Sequence, residues 1–455
     1  MFMRLAIPAT LVAAVLAGCE KNEVVESAQD DTEVYAGGET TVFITGSTAF
    51  NSPASNLSGS SLSRHLDGDR QFEQTFVTPP AIVNGGLGPF YNNTSCAACH
   101  PGDGRGRPPA GGEDLSSTLI RISIPGTDPH GGPNPVPSFG GQLQQRAVVG
   151  RVPEGAVTTQ WIETPGTYAD GTPYSLRKPI FTLSGRVGSG ILQSARIAQP
   201  VFGLGLLEAI SEETILALAD ENDANGDSIS GKVNLVWDEG AQTMRVGRFG
   251  WKAGQPTLVQ QIAAAYNEDM GVTSPYFPNE NCTGRGDCDT LADDPEVSAV
   301  VLDVVVFYVQ TLGVPARRRF NDPAVLRGKA LFRSIGCTGC HVERLTTSVH
   351  ADVPEVSRQK IFAYTDLLLH DMGPGLADGR SEFRATGTEW RTQPLWGIGL
   401  TNIVNGHTNF LHDGRARNFG EAILWHGGEA EGARNRFSAL SSVQRTDLLQ
   451  FLGSL

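Results

Sequence analysis

The stretch TSCAACHPGDGRG, residues 94–106, places Cys96 and Cys99 three positions apart and follows the second directly with His100. This spelling, Cys-x-x-Cys-His, is the attachment signature of haem c. Each thiol adds to one vinyl group of the porphyrin, so the two sulfurs must lie about one helical turn apart, and the histidine is then held beneath the iron as its proximal ligand.

The same arrangement returns at residues 334–345, SIGCTGCHVERL, with Cys337, Cys340 and His341. A zinc site would need four ligands gathered in one place, whereas about half of the chain separates the two motifs and neither has a further Cys/His pair nearby. A thioredoxin-like dithiol normally belongs to a βαβ setting and does not require the histidine. The two motifs therefore predict two covalently bound haem c groups, with His100 and His341 as iron ligands.

The composition is that of a folded, acidic protein. Hydrophobic residues at 40% and charged residues at 18% of the 455 positions are typical of a globular chain. The 54 glycines and 27 prolines predict long irregular loops. Because the formal net charge is -14 and no Lys/Arg-rich run occurs, nucleic acid is not expected as a partner.

The N-terminus, MFMRLAIPATLVAAVLAGCEK, has an early cation, an apolar run too short to span a bilayer, and small residues before Cys19. We interpret residues 1–18 as an export signal. Its LAGC ending resembles a bacterial lipobox, with Cys19 as the lipidated residue. Residues 19–58 begin acidic and poor in large apolar groups, which predicts a flexible tether. The protein is thus expected in the periplasm, anchored by lipid to a bacterial membrane.

All seven cysteines can be assigned in this way. Unpaired thiols are unsafe in an oxidising compartment. With Cys19 assigned to lipid and four cysteines to haem, Cys282 and Cys288 remain. The glycine-containing loop between them can close as a disulfide.

The two haem motifs have similar surroundings and similar closing helices, which end FYVQTL in the first segment and QFLGSL in the second. We infer an unequal duplication, with an N-terminal haem domain over residues 59–315 and a compact C-terminal one over residues 316–455. An insertion at about residues 114–186 alternates apolar and polar residues at strand period in STLIRISIP, AVTTQWIE and RKPIFTLSG. The predicted fold is mainly α, with two cytochrome c-like haem domains and this β-rich insertion.

Three helix starts are marked by capping residues. The helix that closes the first haem segment is predicted over residues 294–312, with Asp294 as its N-cap despite a valine run. The C-terminal helix is expected to be capped by Ser441 or Ser442. A further helix is expected after Ser211, with acidic residues in its first turn.

An acidic loop, DENDANGDSISG, offers oxygen ligands at alternating positions in Asp223, Asn225 and Asp227, as a calcium loop does. Its glycine is displaced, and no glutamate closes the loop at the required distance. Calcium binding and a solvated acidic turn are both compatible with this pattern.

Five stretches carry a family resemblance: LGPFYNNTSCAACHPGDGRGRPP, VFGLGLLEAI, GRFGWKAGQPTLVQQIAAAYNEDMG, YTDLLLHDMGPGLADGR and FLHDGRARNFGEAILWHGGEA. From about His65 to Leu455 the chain resembles the bacterial di-haem cytochrome c peroxidase superfamily, which includes the di-haem enzyme of methylamine utilisation. It is most similar to the branch called di-haem oxidoreductase. The insertion and the absence of an early distal histidine depart from the better-known peroxidases.

The resemblance implies a distal ligand for the C-terminal haem. The superfamily places it a fixed distance after the histidine of an H-D-G motif, here His412, and the count leads to His426. Relatives have Met or Tyr there, so a bis-histidine haem would be a departure. Imidazole in place of thioether lowers the reduction potential and closes the iron to small ligands, which suits electron relay. Met372 is a competing ligand, His370 a weaker one, and His426 as a hydrogen-bonding residue at a helix end is the alternative.

The resemblance also implies catalytic residues near the N-terminal haem. WKAGQPTLVQQIAAAYNEDM supplies Trp251 between the haems, then Gln261, then Glu268 or Asp269, whose register is open because KAGQ replaces the family's D-G-R. A carboxylate above the iron could take a proton from hydrogen peroxide and return it to the departing oxygen. Trp251 is equally explained as a core aromatic. Met270 could bind the same iron, although methionine more often fills core gaps.

The leading hypothesis is a lipid-anchored periplasmic oxidoreductase of the peroxidase type, with the N-terminal haem as reaction site and the C-terminal haem as electron relay. The expected partners are a small electron-donor protein (cytochrome or cupredoxin) or an oxidisable substrate, and hydrogen peroxide or oxygen. Two alternatives stay open. One is a pure electron-transfer cytochrome with both irons closed by side chains, and the other is a redox lipoprotein that assists metal uptake.

Overall fold

Helices and short two-stranded sheets alternate along the chain. The structure, a computed structural model, describes residues 30–111 and 117–455. The helices are α1 (Gly59–Glu73), α2 (Cys96–Cys99), α3 (Leu204–Glu208), α4 (Glu212–Leu218), α5 (Leu258–Met270), α6 (Ala299–Gln310), α7 (Pro323–Ser334), α8 (Gly373–Leu376), α9 (Thr401–Asn405), α10 (Phe419–Leu424), α11 (Glu431–Ala439) and α12 (Ser442–Ser454). The strands are β1 (Phe90–Tyr91), β2 (Thr118–Ser123), β3 (Arg146–Ala147), β4 (Gly155–Thr167), β5 (Pro173–Gly185), β6 (Leu192–Ile197), β7 (Leu235–Asp238), β8 (Thr243–Val246), β9 (Leu345–Thr346), β10 (Lys360–Ile361), β11 (Leu369–Asp371) and β12 (Glu389–Arg391). They pair antiparallel as β1–β3, β2–β6, β4–β5, β7–β8, β9–β10 and β11–β12.

The β-rich insertion lies where the alternating pattern predicts it. The three predicted strand segments form β2, β4 and β5, and β6 extends the insertion to Ile197. Its expected first position, 114, lies outside the described residues. The helices and small sheets agree with a mainly α class that carries a β-rich insertion. The division into two cytochrome c-like domains stays a prediction.

One helix pair occurs twice. α1 packs on α6 in the first half, and α7 packs on α12 in the second. Each pair meets at a glycine: a Cβ atom at Gly68 would overlap the Val304 carbonyl oxygen, and one at Gly328 would overlap the Asp447 carbonyl oxygen. Only glycine allows the two backbones to approach this closely.

Aromatic packing within the two helix pairs is also equivalent. The ring centroids of Phe72 and Tyr308 are 5.3 Å apart, and those of Phe332 and Phe451 are 5.1 Å apart. Each contact joins the helix that precedes a Cys-x-x-Cys-His motif to the helix that closes that half. The similarity between FYVQTL and QFLGSL thus has a structural counterpart, which supports the inferred duplication.

The hydrophobic core extends across the predicted domain boundary. Its larger cluster joins Val305 from the first half to Leu345 from the second, whereas a smaller cluster around Phe451 lies in the second half. Residues Glu33–Leu455 form one compact unit, and the other unit, Met1–Thr32, lies almost entirely outside the described residues. The boundary between residues 315 and 316 therefore stays a prediction.

Much of the segment 33–58 packs against the rest of the chain, while residues 43–48 are exposed, and this corrects the described part of the flexible tether expected over residues 19–58. Phe50 is 1% exposed and stacks on Phe202 at 4.4 Å, and the Val42 amide donates to the Val314 carbonyl at 2.9 Å. The segment is poor in large apolar residues on average, but a few of those that it contains are buried one by one. Composition alone does not show this. The expected signal and the lipidated cysteine lie outside the described residues. Within the described ranges, no helix combines the length and apolarity needed to cross a membrane.

Capping explains where the helices start. α12 begins after Ser441, whose side chain forms a capping box with Gln444, and α4 begins after Ser211, so both predictions are confirmed. The prediction of Asp294 as the cap of α6 is wrong. Ser298 lies closer to the apolar run and its hydroxyl accepts the third amide of the helix, so α6 starts at Ala299.

The β4–β5 hairpin reaches the C-terminal half. At its turn, Tyr168 meets Phe437 of α11 edge-on at 6.1 Å, and the guanidinium of Arg445 in α12 lies 4.0 Å from the Tyr168 ring. Arg445 also forms an ion pair with Asp170 at 2.7 Å. The insertion thereby ties the first half of the chain to its last two helices.

Candidate functional site

The first Cys-x-x-Cys-His motif forms a single helical turn. Ser95 caps α2, its hydroxyl accepting a backbone hydrogen bond at 3.2 Å. The turn brings Cys96, Cys99 and His100 to the wall of one cavity. His100 Nδ1 lies 2.7 Å from the Gln199 carbonyl oxygen. Because a carbonyl can only accept, Nδ1 carries the proton, and Nε2 keeps its lone pair for a metal.

The second motif is held in the same way. Gly336 has a φ of 88°, which permits a tight turn into a 3-10 helix over Cys337–Gly339. His341 Nδ1 lies 2.9 Å from the Tyr364 carbonyl oxygen, so its Nε2 also keeps a lone pair. Both motif histidines are therefore oriented through Nδ1 by a backbone carbonyl.

Both histidines are in the protonation state that binds a metal. Burial lowers the pKa of His341 to about 4 and lowers the pKa of His100 below its ordinary value. A phenylalanine from the preceding helix packs beside each ring: Phe72 at 6.3 Å from His100 and Phe332 at 6.1 Å from His341, both at 54°. Neutral, oriented imidazoles with equivalent neighbours are suited to be proximal haem ligands.

A cavity of about 480 Å³ adjoins the first motif. Helix α5 forms one wall, and its contributing residues recur at helical spacing. These residues are Leu258, Gln261, Ile262, Ala265, Glu268 and Asp269. Trp251 and Met270 line the same cavity. The structure therefore gathers all the residues predicted to act at the N-terminal haem around one cavity.

The charge of the cavity wall fits a haem. Arg105 is 7% exposed, and its Nε and Nη1 atoms have no hydrogen-bond partner among the described residues. Its guanidinium lies 5.8 Å from the Trp251 ring and 5.6 Å from the Phe410 ring. A buried cation without a counter-charge is unfavourable, and a haem propionate would pair with it. Sequence reasoning missed Arg105, although it stands inside the motif-bearing stretch GDGRGRPP.

The two candidate acids have different partners, both supplied by the β-rich insertion. Asp269 accepts a hydrogen bond from Gln142 Nε2 at 2.8 Å, and burial raises the pKa of Asp269 to about 6. Glu268 forms an ion pair with Arg121. Both acids line the cavity, so their position on the helix does not show which of them would carry the proton. Their different partners distinguish them.

An aromatic chain extends from this cavity toward the second motif. Trp251 donates to the Ile197 carbonyl at 2.9 Å and meets His412 edge-on at 6.4 Å. His412 stacks on Trp390 at 3.9 Å and 12°. The hydrophobic cluster around Trp251 and Trp390 also includes Trp425, the residue before His426. Trp390 and His412 were not predicted as site residues, because they come from distant segments and no spacing indicates their stacking.

His426 is oriented as a ligand would be. Its Nδ1 lies 2.7 Å from the Ala422 carbonyl oxygen, which leaves Nε2 for a metal. Burial lowers the pKa of His426 below its ordinary value, which favours the neutral imidazole. Met372 packs in the tryptophan cluster. The distal ligand, His426 or Met372, stays a prediction, as does ligation of the first iron by Met270, which is 2% exposed in the main core.

The weaker alternative ligand, His370, is wrong because both its nitrogens are occupied. Nδ1 lies 2.7 Å from Glu429 and Nε2 lies 2.9 Å from Asp366. Burial acts to lower the pKa of His370, but hydrogen bonds to Asp366, Cys340 and Glu429 outweigh it and raise that pKa to about 12. With both nitrogens engaged by carboxylates, this ring is not oriented to bind iron.

The predicted disulfide is present. Cys282 and Cys288 are bonded, with Cα atoms 5.4 Å apart. Beside this disulfide, ligand atoms of three carboxylates, Glu280, Asp294 and Glu296, lie within 4.8 Å of one another. Burial, followed by the charge of Glu296, raises the pKa of Glu280 to about 9.

In the proposed calcium loop the side-chain oxygens face the backbone. Asp223, Asn225 and Asp227 each accept a hydrogen bond from a nearby backbone amide. Such bonds stabilise an acidic turn by themselves. Calcium binding at this loop stays a prediction.

Each motif histidine has its Nε2 atom available for a metal, and each lies beside an equivalent helix pair. These features define a protein that binds two haem groups. The chain matches the family described as "Di-haem oxidoreductase, putative peroxidase" over residues 31–455. It belongs to this di-haem oxidoreductase family, and membership implies two haem groups and an oxidoreductase activity. The comparison with curated proteins found no match.

Proposed function

We propose that this chain is a lipid-anchored periplasmic di-haem c oxidoreductase of the peroxidase type. The haem of the first motif would be the site of hydrogen peroxide reduction, and the haem of the second would relay electrons. Family membership supports the oxidoreductase class, and the lipobox-like N-terminus supports export and anchoring. Electrons would come from a small cytochrome or cupredoxin, or from an oxidisable substrate.

The observation that carries the proposal is the polar wall of α5, which meets the His100 cavity with Gln261, Glu268 and Asp269. When bound, the haem iron supplies the site and the electrons for cleavage of the O–O bond. Asp269 is the better proton carrier, because its pKa of about 6 allows it to take up and release a proton near neutral pH, whereas Glu268 is paired with Arg121. The Gln261 amide can orient the peroxide by a hydrogen bond.

The aromatic chain supports a relay. Trp251 lines the reaction cavity, His412 bridges it to Trp390, and Trp425 of the same cluster precedes His426. The cluster that contains these tryptophan rings extends from the first cavity as far as the tryptophan before His426, which supports a path for electrons. A second haem closed by His426 would exchange electrons but bind no peroxide.

The proposal is tested on protein matured in an export-competent host. Two haem c groups per chain should survive extraction with acid acetone. His426→Ala should change the absorption and magnetic resonance spectra of one haem, while His350→Ala, a control at a histidine outside both sites, should change neither. Peroxide added to half-reduced protein should perturb the other haem only. A protein whose haems both ignore peroxide would contradict the peroxidase assignment.

A second candidate is a pure electron-transfer cytochrome. It is favoured by one observation, the buried Met270 on the wall of the first cavity, which could close that iron while His426 closes the other. Carbon monoxide and cyanide separate the candidates, because two closed irons bind neither readily.

The lipid anchor can be tested independently. Wild-type protein should take up a labelled fatty acid, and Cys19→Ala should not. Wild-type protein without label would exclude Cys19 as the anchor, without bearing on the haem chemistry.

A further inference from the structure

A second cavity, of about 360 Å³, adjoins the first. Six residues line both of them: Asp128, Gly141, Gly254, Gln255, Glu268 and Phe383. A single layer of side chains therefore separates the two spaces. Much of the second cavity's wall comes from the insertion, the segment that the better-known peroxidases lack.

Helix α5 presents a different stripe to each cavity. The stripe toward the second cavity consists of Gln260, Ala264, Asn267 and Glu268. Glu268 is the one residue of α5 common to both stripes. Its ion pair with Arg121 holds the carboxylate at the junction.

The wall of the second cavity is rich in polar side chains. Within the described part of the chain, Gln142 Oε1, Gln255 Oε1 and Asn281 Oδ1 are buried and have no partner. Gln142 is 1% exposed, and its Nε2 donates to Asp269 of the first cavity. The wall also carries six amide side chains, so the cavity suits a small, neutral, polar molecule. These residues are Gln142, Gln144, Gln255, Gln260, Asn267 and Asn281.

We propose that the second cavity is the entrance through which hydrogen peroxide reaches the first, with Glu268 and Gln142 at the junction. This inference rests on the proposed peroxidase function. Hydrogen peroxide is small, uncharged and polar, so it suits a wall lined by amide groups. An anionic substrate would be repelled by Asp128 and Glu239 of the wall. Passage itself makes and breaks no covalent bond.

Two plugging variants test the route. An ideal Cβ at Gly141 meets only Glu268 Oε1, at 3.3 Å, and the backbone there is not left-handed, so Gly141→Phe would place its ring in the junction. Ala264→Leu narrows the second cavity from the helix side and guards against a folding defect peculiar to the first variant. Gly46→Phe is the matched control, because Gly46 has open space around it and lines neither cavity.

The readouts are the second-order rate of the peroxide reaction and the rate of carbon monoxide rebinding after flash photolysis. Both plugs should slow both rates by about tenfold, which corresponds to about 1.4 kcal/mol of added barrier, and the control should not. Plugged proteins that react at the wild-type rate would overturn the entrance while leaving the peroxidase function intact. A wild-type protein that reacts with neither molecule would overturn both.

Discussion

Glu280→Gln should stabilise the protein at pH 8 and have little effect at pH 5. The Glu280 Oε2 atom is buried and has no hydrogen-bond partner among the described residues, and carboxylates of Asp294 and Glu296 are its neighbours. Burial, reinforced by Glu296, raises the pKa of Glu280 from 4.5 to about 9. The ionised side chain is therefore much less favourable in the folded protein than in the unfolded chain.

The sign and size follow from proton linkage. The folded protein keeps the Glu280 proton to about pH 9, whereas the unfolded chain releases it near pH 4.5. The contribution of Glu280 to the free energy of unfolding is therefore fully present below about pH 4.5 and is lost as the pH rises toward 9. From pH 5 to pH 8 the interval is about three pKa units, an upper limit of about 4 kcal/mol. Solvent screening of this half-buried group reduces the expected effect to about 2 kcal/mol.

Urea unfolding followed by far-ultraviolet circular dichroism measures this difference at the two pH values. Glu73→Gln is the control, because Glu73 is exposed at the end of α1. The Glu280 variant should gain about 2 kcal/mol over wild type at pH 8 only, and the control should gain nothing. An equal change at both pH values, or a loss at pH 8, would refute the electrostatic reasoning.

Three further outcomes are expected. Gly328→Ala should lower the free energy of unfolding by about 1–3 kcal/mol, because its Cβ would overlap a carbonyl of α12, whereas Gly46→Ala should not; thermal denaturation compares them. Trp251→Phe should slow electron transfer between the haems in pulse radiolysis and leave both haem spectra unchanged. Arg105→Leu should lower the reduction potential of the first haem only, because a buried positive charge favours the reduced state, and a spectroelectrochemical titration would show two unshifted potentials if that is wrong.

Local signals account for what could be predicted about the fold. The capping box at Ser441 and the alternation that forms β4 and β5 are patterns that act within a few residues, and both are confirmed. The cap of α6 was misplaced because two cap-forming residues, Asp294 and Ser298, compete within one turn and the hydroxyl nearer the apolar run prevails. The docking of Tyr168 on α11 depends on tertiary packing that no local pattern encodes.

The candidate site likewise has residues that the sequence identifies and partners that only the fold supplies. Gln261, Glu268 and Asp269 fall on one wall of α5 because helical periodicity places them there, and the resemblance to the peroxidase superfamily is what selects them. Their partners were not predictable, because Arg121 and Gln142 come from an inserted segment whose position over α5 is set by folding. Comparison with family motifs identifies the candidate acids. It does not identify the contacts that set the charge state of each acid.

The hairpin that joins the two halves has a consequence for biogenesis. Its ion pair between Asp170 and Arg445 connects residues 275 positions apart, and contacts of such long sequence separation close late in folding. Under the proposed covalent attachment of haem, we expect both cysteine pairs to stay accessible to the attachment machinery until that closure. Chains that close before receiving their porphyrins would be compact but colourless, and delivery of haem, more than translation, would then limit the yield of mature protein.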